Sequence, residues 1–303
     1  MDINLAIADR ARAGEALTAA EIDELASADL LSLGMLADEV RRARAGENVT
    51  YVRVFEWAGP PARPEAAAAG AGEVRISELP PTIDAAVDAV RQARTIATGR
   101  LLTGFSLADL IERDWGPLAD VLGQLKGAGL DAIAEAPVDA LADPEAALQA
   151  CQDAGIPVRC VSVRQPAGDA RTPLLVRVQG LVSRFPDLRT VAPLSREQSI
   201  AVPTTGYDDV RAVALARLAL PSVPNIQVDW AQYGPKLAQV ALTFGANDVD
   251  RVSPVDDETL GRRRTAVEDV RRNIAAAGFT PVERDPFDSQ RGGASPLAQG
   301  KPT

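Results

Sequence analysis

The strongest constraint on this chain is an alternation that runs along most of its length. Short strand candidates, the first of them rich in β-branched and aromatic residues, fall at 49–57, 73–77, 100–105, 132–135, 158–163, 188–193, 225–230 and 243–245. Such segments favour extended backbone, because their branched side chains pack well on a pleated surface. Stretches with helical spacing separate most of them. Ile83, Val87 and Val90 keep an i, i+4, i+7 stripe, as do Leu118, Val121, Leu122 and Leu125. Further helices are expected at 145–154, 173–185, 207–220 and 235–242. The sequences Ala128-Gly129-Leu130-Asp131 and Ala154-Gly155-Ile156-Pro157 read as a helix stop followed by a strand, with glycine free to take the left-handed position after the last turn. Strands that alternate with helices form a parallel sheet covered by those helices, and eight units favour closure. The expected fold is α/β, a (β/α)8 TIM-like barrel. An open doubly wound sheet is the alternative. A dinucleotide-binding version is weakened because no Gly-x-Gly-x-x-Gly follows a strand.

The flanks differ from this core. Residues 1–46 read as helices packed on the barrel. Thr18 and Glu21 stand at capping-box spacing, and Leu30, Leu31, Leu33, Leu36 and Val40 form a stripe. The barrel itself is expected over 47–285, interrupted by a Gly/Pro/Ala-rich insert at 58–72 and closed by a helix and short strand over 256–283. Residues 286–303 are rich in Gly, Ser and Pro, the composition of a disordered tail. Charges interrupt the first ten residues, which argues against a signal peptide. No run reaches the ~18 apolar residues of a membrane span. A cytoplasmic protein without membrane association is expected.

Composition narrows the chemistry. The chain has no histidine, so triads and neutral-pH imidazole bases are excluded, as are zinc sites that need imidazole. Its two cysteines, Cys151 and Cys160, are too few for a cubane iron–sulfur cluster held by a full set of thiolates, and no metal site is expected. They sit in apolar surroundings and read as reduced structural thiols. A formal net charge of -10 argues against nucleic acid, which demands concentrated positive charge.

Two long segments carry a family resemblance. The run from Val223 to Trp230 (VPNIQVDW) and the run from Gly234 to Asp248 (GPKLAQVALTFGAND) resemble a radical S-adenosylmethionine subgroup. That subgroup contains aminofutalosine synthase, dehypoxanthine futalosine cyclase and FO synthase. Residues 27–42, 125–131, 208–218 and 277–285 are similar to it in the same order, so the resemblance spans about residues 15–285. It implies the same barrel. It also implies a Cys-x3-Cys-x2-Cys loop after the first strand, holding a [4Fe–4S] cluster. Here Trp57 leads instead into Ala58-Gly59-Pro60-Pro61-Ala62-Arg63, with no cysteine. The glycine-rich turn the family has after its second strand is replaced by Ser77-Glu78-Leu79-Pro80. Cluster ligands are thus absent, no resident cofactor is expected, and S-adenosylmethionine, normally chelated by the cluster's open iron, is left in question.

Side chains at the C-terminal ends of barrel strands face the pocket. On that rule Glu56, Glu135 and Asp229 are the candidate acid–base groups. Carboxylates whose environments push their pKa values apart can exchange protons without histidine. Arg53, Glu78, Ser106, Arg164, Gln227, Trp230 and Asn247 are the candidate ligand contacts. The competing reading is a relict pocket whose charges satisfy one another. Trp230 would either stack on a flat ring or pack at the rim, and Asn247-Asp248 reads more readily as a turn than as a ligand contact. Asp248, Asp250, Asp256, Asp257 and Glu258 read as a solvated charged turn, and Arg262-Arg263-Arg264 as a solvated helix start or a contact with a partner's acidic face.

Together these readings give a cluster-less paralogue, a non-radical accessory or ligand-binding protein linked to menaquinone biosynthesis, with deazaflavin synthesis left open. Radical catalysis is not expected, and whether the chain is an enzyme at all stays open. Its partners would be a cluster-bearing paralogue or another quinone-synthesis enzyme, and a small polar or aromatic ligand. The alternative is a repurposed barrel enzyme that applies carboxylate acid–base chemistry to a nucleoside-like or aromatic polar substrate.

Overall fold

A single long strand, β1 (Asn48–Trp57), closes the sheet on itself. In the computed structural model, which describes residues 3–60, 68–165, 170–197, 204–255 and 267–287, the C-terminal half of β1 pairs with β2 (Glu73–Ile76) and its N-terminal half pairs with β8 (Asp248–Val252), all parallel. Between these run β3 (Leu101–Ser106), β4 (Ala132–Pro137), β5 (Val161–Val163), β6 (Thr190–Ser195) and β7 (Asn225–Asp229), each paired with the next. The result is a closed eight-stranded parallel barrel with helices between its strands, the TIM-barrel fold. A ninth strand, β9 (Thr280–Glu283), pairs with Asn48–Tyr51 on the side of β1 that β2 leaves open.

The helices are α1 (Leu5–Ala13), α2 (Ala19–Ala26) and α3 (Leu30–Ala45) ahead of the barrel. The barrel helices are α4 (Ile83–Ile96), α5 (Leu107–Glu112), α6 (Leu118–Gly127), α7 (Pro144–Ala154), α8 (Arg171–Arg184), α9 (Gly206–Ala219) and α10 (Trp230–Leu242), followed by α11 (Val267–Ala276). Local chemistry starts several of them. Thr18 and Glu21 form the expected capping box, and Thr205 with Asp208 forms a second one at α9. Gly155, at φ 64°, closes α7 in the left-handed conformation. Among the described residues of 58–72 there is no helix between β1 and β2.

Three expectations need correction. No strand forms at 243–245: α10 runs to Leu242, and Gly245 turns the chain with φ 109°. A Cβ there would stand 2.8 Å from that of Arg217, so the turn requires glycine. The last barrel strand is instead Asp248–Val252, which includes two residues of the supposed solvated turn. Asp248 and Asp250 are 0% and 2% exposed. Their charges fit inside because arginines from elsewhere in the barrel meet them, a long-range pairing that local hydropathy cannot register. Finally, the segment 225–230 ends as a strand at Asp229, and helix begins at once with Trp230, kinked where Gly234 takes φ 73°. Asp256–Glu258, Arg262–Arg264 and residues 288–303 of the tail lie outside the described residues.

The extension after the barrel is held by charge as well as by β9. Phe279 lies under two guanidinium groups, Arg41 at 3.9 Å and Arg42 at 4.6 Å from the ring centroid. Arg41 is fully buried on α3; its Nε donates to Asp38 at 3.2 Å, and its other two nitrogens have no hydrogen-bond partner among the described residues, leaving the ring beside them. Arg284, just past β9, enters the barrel base and donates to Asp248 at 2.9 Å.

Candidate functional site

The barrel interior is built from arginine–carboxylate layers. In the deeper layer, Arg75 of β2 and Asp250 of β8 flank β1 and meet across the interior, in a bidentate pair of 2.8 and 3.0 Å. Arg75 also holds Glu73 at 2.7 Å, and Thr103 of β3 donates to the same Glu73 oxygen at 2.6 Å. Asp248 accepts from Thr50 at 2.6 Å and from Gln227 at 2.7 Å, besides Arg284. Burial alone would raise the Asp250 carboxyl, but Arg75, followed by Arg284 and Arg196, holds it well below the usual carboxylate range.

Above this layer, at the C-terminal ends of the strands, opens a cavity of about 300 Å³. Asp229 is its pivot. One oxygen accepts from Arg196 and from Arg251, both at 3.0 Å. The other caps α10 through the amide of Gln232 at 2.9 Å. Arg196 continues to Glu135 at 2.7 Å, and Arg251 to Glu56 at 2.7 Å. Burial would lower the pKa of both arginines; the carboxylates around them outweigh it and hold both guanidiniums charged. The side chains of Gln232 and Tyr233 donate to the carbonyl of Ser195, at 2.9 and 2.5 Å, and fix the end of β6 from which Arg196 projects.

Backbone strain collects at the same place. Phe105 (φ 64°) and Arg251 (φ 55°) both line the cavity, and Asp114 is the one other non-glycine residue with positive φ among the described residues. Arg251 stands at a break in register. Tyr51 pairs with Val249 and Arg53 with Val252, so β8 carries an extra residue there. Such a bulge redirects a side chain, here bringing the guanidinium onto Glu56 and Asp229.

The three candidate acid–base groups, Glu56, Glu135 and Asp229, therefore share one cavity, and Glu78 and Ser106 line it with them. The other candidates are elsewhere. Arg53 pairs with Glu283 at 2.6 Å on the outer face. It is three residues from Glu56, and strand positions of opposite parity point to opposite faces. Gln227 is buried in the layer below, on Asp248. Asn247 accepts from Arg217 and from the amide of Ile226 and donates to the carbonyl of Pro224, a structural clasp between β7 and β8. Trp230 is 3% exposed within the apolar core. Arg164 stands beside the cavity, bound to Asp109 and to Glu112, the latter at 2.5 Å. The sequence reading missed Arg75, Arg196, Arg251 and Asp109. The excess of arginine over lysine was the available signal, since the planar fork suits buried carboxylates.

The cysteines lie away from this cavity. Cys151 is buried on α7, and Cys160 is buried just before β5, where its thiol donates to the carbonyl of Val161. Burial pushes both thiols up to about 12. Among the described residues, no three Cys, Asp or Glu side chains are grouped to hold a metal ion. No described helix is long and apolar enough to cross a membrane.

Residues 183–291 match the family described as the CofH/MqnC C-terminal region. The chain is 30% identical over 202 residues to a 5-amino-6-(D-ribitylamino)uracil–L-tyrosine 4-hydroxyphenyl transferase of Methanopyrus kandleri, a match covering 55% of this chain and 54% of that protein. It is 41% identical over 98 residues to the aminodeoxyfutalosine synthase of Thermus thermophilus, covering 30% of this chain and 26% of that protein. In sequence the chain is similar to futalosine- and FO synthase-type enzymes. The matches span about half or less of these relatives' own length. The fold agrees with that of methylornithine synthase, at a TM-score of 0.69 and 15% identity over 93% of this chain and 99% of that one.

Proposed function

We propose that this chain does no radical chemistry and serves as a ligand-binding or partner subunit linked to menaquinone biosynthesis. The observation that carries the reading is the segment after β1. Residues 58–72 contain no cysteine, and the chain's only two cysteines are elsewhere. A [4Fe–4S] cluster needs accessible thiolates converging on one point. Cys151 and Cys160 are buried thiols held protonated, on different elements, and do not fit one. The cavity also favours binding over acid–base turnover, because Glu56, Glu135 and Asp229 are all engaged in ion pairs with arginines. The test is S-adenosylmethionine cleavage after anaerobic treatment with iron and sulfide, beside a cysteine-bearing relative. Cleavage by the relative alone is expected; cleavage by this chain overturns the reading. Co-purification with such a relative would support the partner role.

A further inference from the structure

The charges around the cavity specify what kind of ligand it accepts. Each of its arginines is ion-paired with two carboxylates. Arg75 is taken by Glu73 and Asp250, Arg196 bridges Glu135 and Asp229, and Arg251 bridges Glu56 and Asp229. The carboxylates are not spent. Glu56 and Glu135 each use one oxygen and leave the other unbonded, while Glu78 has no ion-pair or hydrogen-bond partner among the described residues. The wall carries five carboxylates, Asp109 and Asp229 among them, against three arginines, and the one arginine nitrogen on it found buried without a partner among the described residues is Arg251 Nε. Ser106 is an independent pointer. It lines the same cavity, is 9% exposed, and its hydroxyl has no partner among the described residues. A nine-tenths buried hydroxyl left unbonded is costly unless a ligand or water completes it. Ile76, Leu79 and Phe105 supply an apolar wall beside these acceptors.

We infer that the cavity binds a compact organic cation, an ammonium or amidinium group on an apolar body, with the charged end on Glu56, Glu78 and Glu135 and the apolar end against Phe105. This is opposite in sign to the anionic ligand that an arginine-lined pocket would take. The inference deepens the ligand-binding reading above and rests on it. A cation desolvated among carboxylates gains charge-assisted hydrogen bonds that a neutral isostere cannot make.

The experiment is calorimetric titration of the full chain with benzylamine and benzamidine, and with the matched benzyl alcohol and benzoate. The two cations are expected to bind, the alcohol more weakly and benzoate not at all. Glu78→Gln removes a free, exposed carboxylate that carries no structural load, and should weaken cation binding about tenfold. Glu135→Gln should do the same, with circular dichroism confirming the fold. Benzoate binding as well as benzylamine, no binding by either cation, or cation affinity unchanged in Glu78→Gln would overturn the inference. The non-radical reading fails separately: cluster assembly would sink it without altering the sign preference, and absent cation binding would leave it standing.

Discussion

Arg75→Met isolates the energetics of the interior network. The substitution keeps an apolar stem of similar length and removes a charge that is 15% exposed, held between Glu73 and Asp250 at 1% and 3%. Both carboxylates then lose their principal cation. Removing one partner of a buried ion pair costs about 3–5 kcal/mol, because the remaining charge has neither water nor a counter-ion. Two stranded carboxylates and the lost donor to Glu73 place this variant at the upper end. Linkage fixes the pH dependence. The Asp250 carboxyl is depressed in the native state, so its contribution is fully present above the ordinary carboxylate pKa, about 4, and is lost as pH falls through the folded value. In Arg75→Met that contribution is gone, so the deficit should be full from pH 7 down to about pH 4 and narrow below it, toward about pH 2. Urea unfolding across this range, read as midpoint at constant slope, is the assay. Adding Asp250→Asn should recover part of the loss, since it removes one of the stranded charges. A deficit below about 1 kcal/mol, within the range of an exposed pair, or one independent of pH, would refute the argument that these layers are desolvated ion pairs.

Other predictions are more local. At pH 8 a thiol with pKa about 12 is ionised to about one part in 10⁴, so Cys151 and Cys160 should resist iodoacetamide in the native protein and react on unfolding; fast native labelling would contradict their burial. Arg251→Ala should be less stable than Arg251→Gly by about 1 kcal/mol, because both lose the ion pairs but alanine keeps the left-handed strain; a more stable alanine variant would mean that no bulge exists there. Phe279→Ala should cost about 3–5 kcal/mol and expose β9 to proteolysis, since it empties a core site and strips Arg41 of its ring; unchanged protease resistance would refute the clamp.

Much of the barrel was legible because its strands announce themselves locally. The segment 49–57 is dense in β-branched and aromatic residues, and Thr18 with Glu21 marks a helix start by chemistry confined to a few residues. The last strand was not legible for the same reason in reverse. In Asp248-Val249-Asp250-Arg251-Val252, the charges that look solvated face inward onto Arg284 and Arg75, which lie far away in sequence. The site shows the same division. Knowing that strand ends face the pocket was enough to place Glu56, Glu78, Ser106, Glu135 and Asp229 around one cavity. It also drew in Arg53, which alternation along β1 excludes, and Asn247, which stands before β8 and clasps its neighbour. Arg196 and Arg251 were missed because nothing local marks a register break or a cross-strand pair.

The central claim is that the barrel is retained while the cluster is not, and the direct measurement is iron and acid-labile sulfide per chain after anaerobic reconstitution, with the visible and electron paramagnetic resonance spectra. The account predicts no stoichiometric iron, no cluster absorbance and no paramagnetic signal on reduction, while a cysteine-bearing relative treated in parallel shows all three. A stable, stoichiometric, reducible cluster on this chain would contradict it.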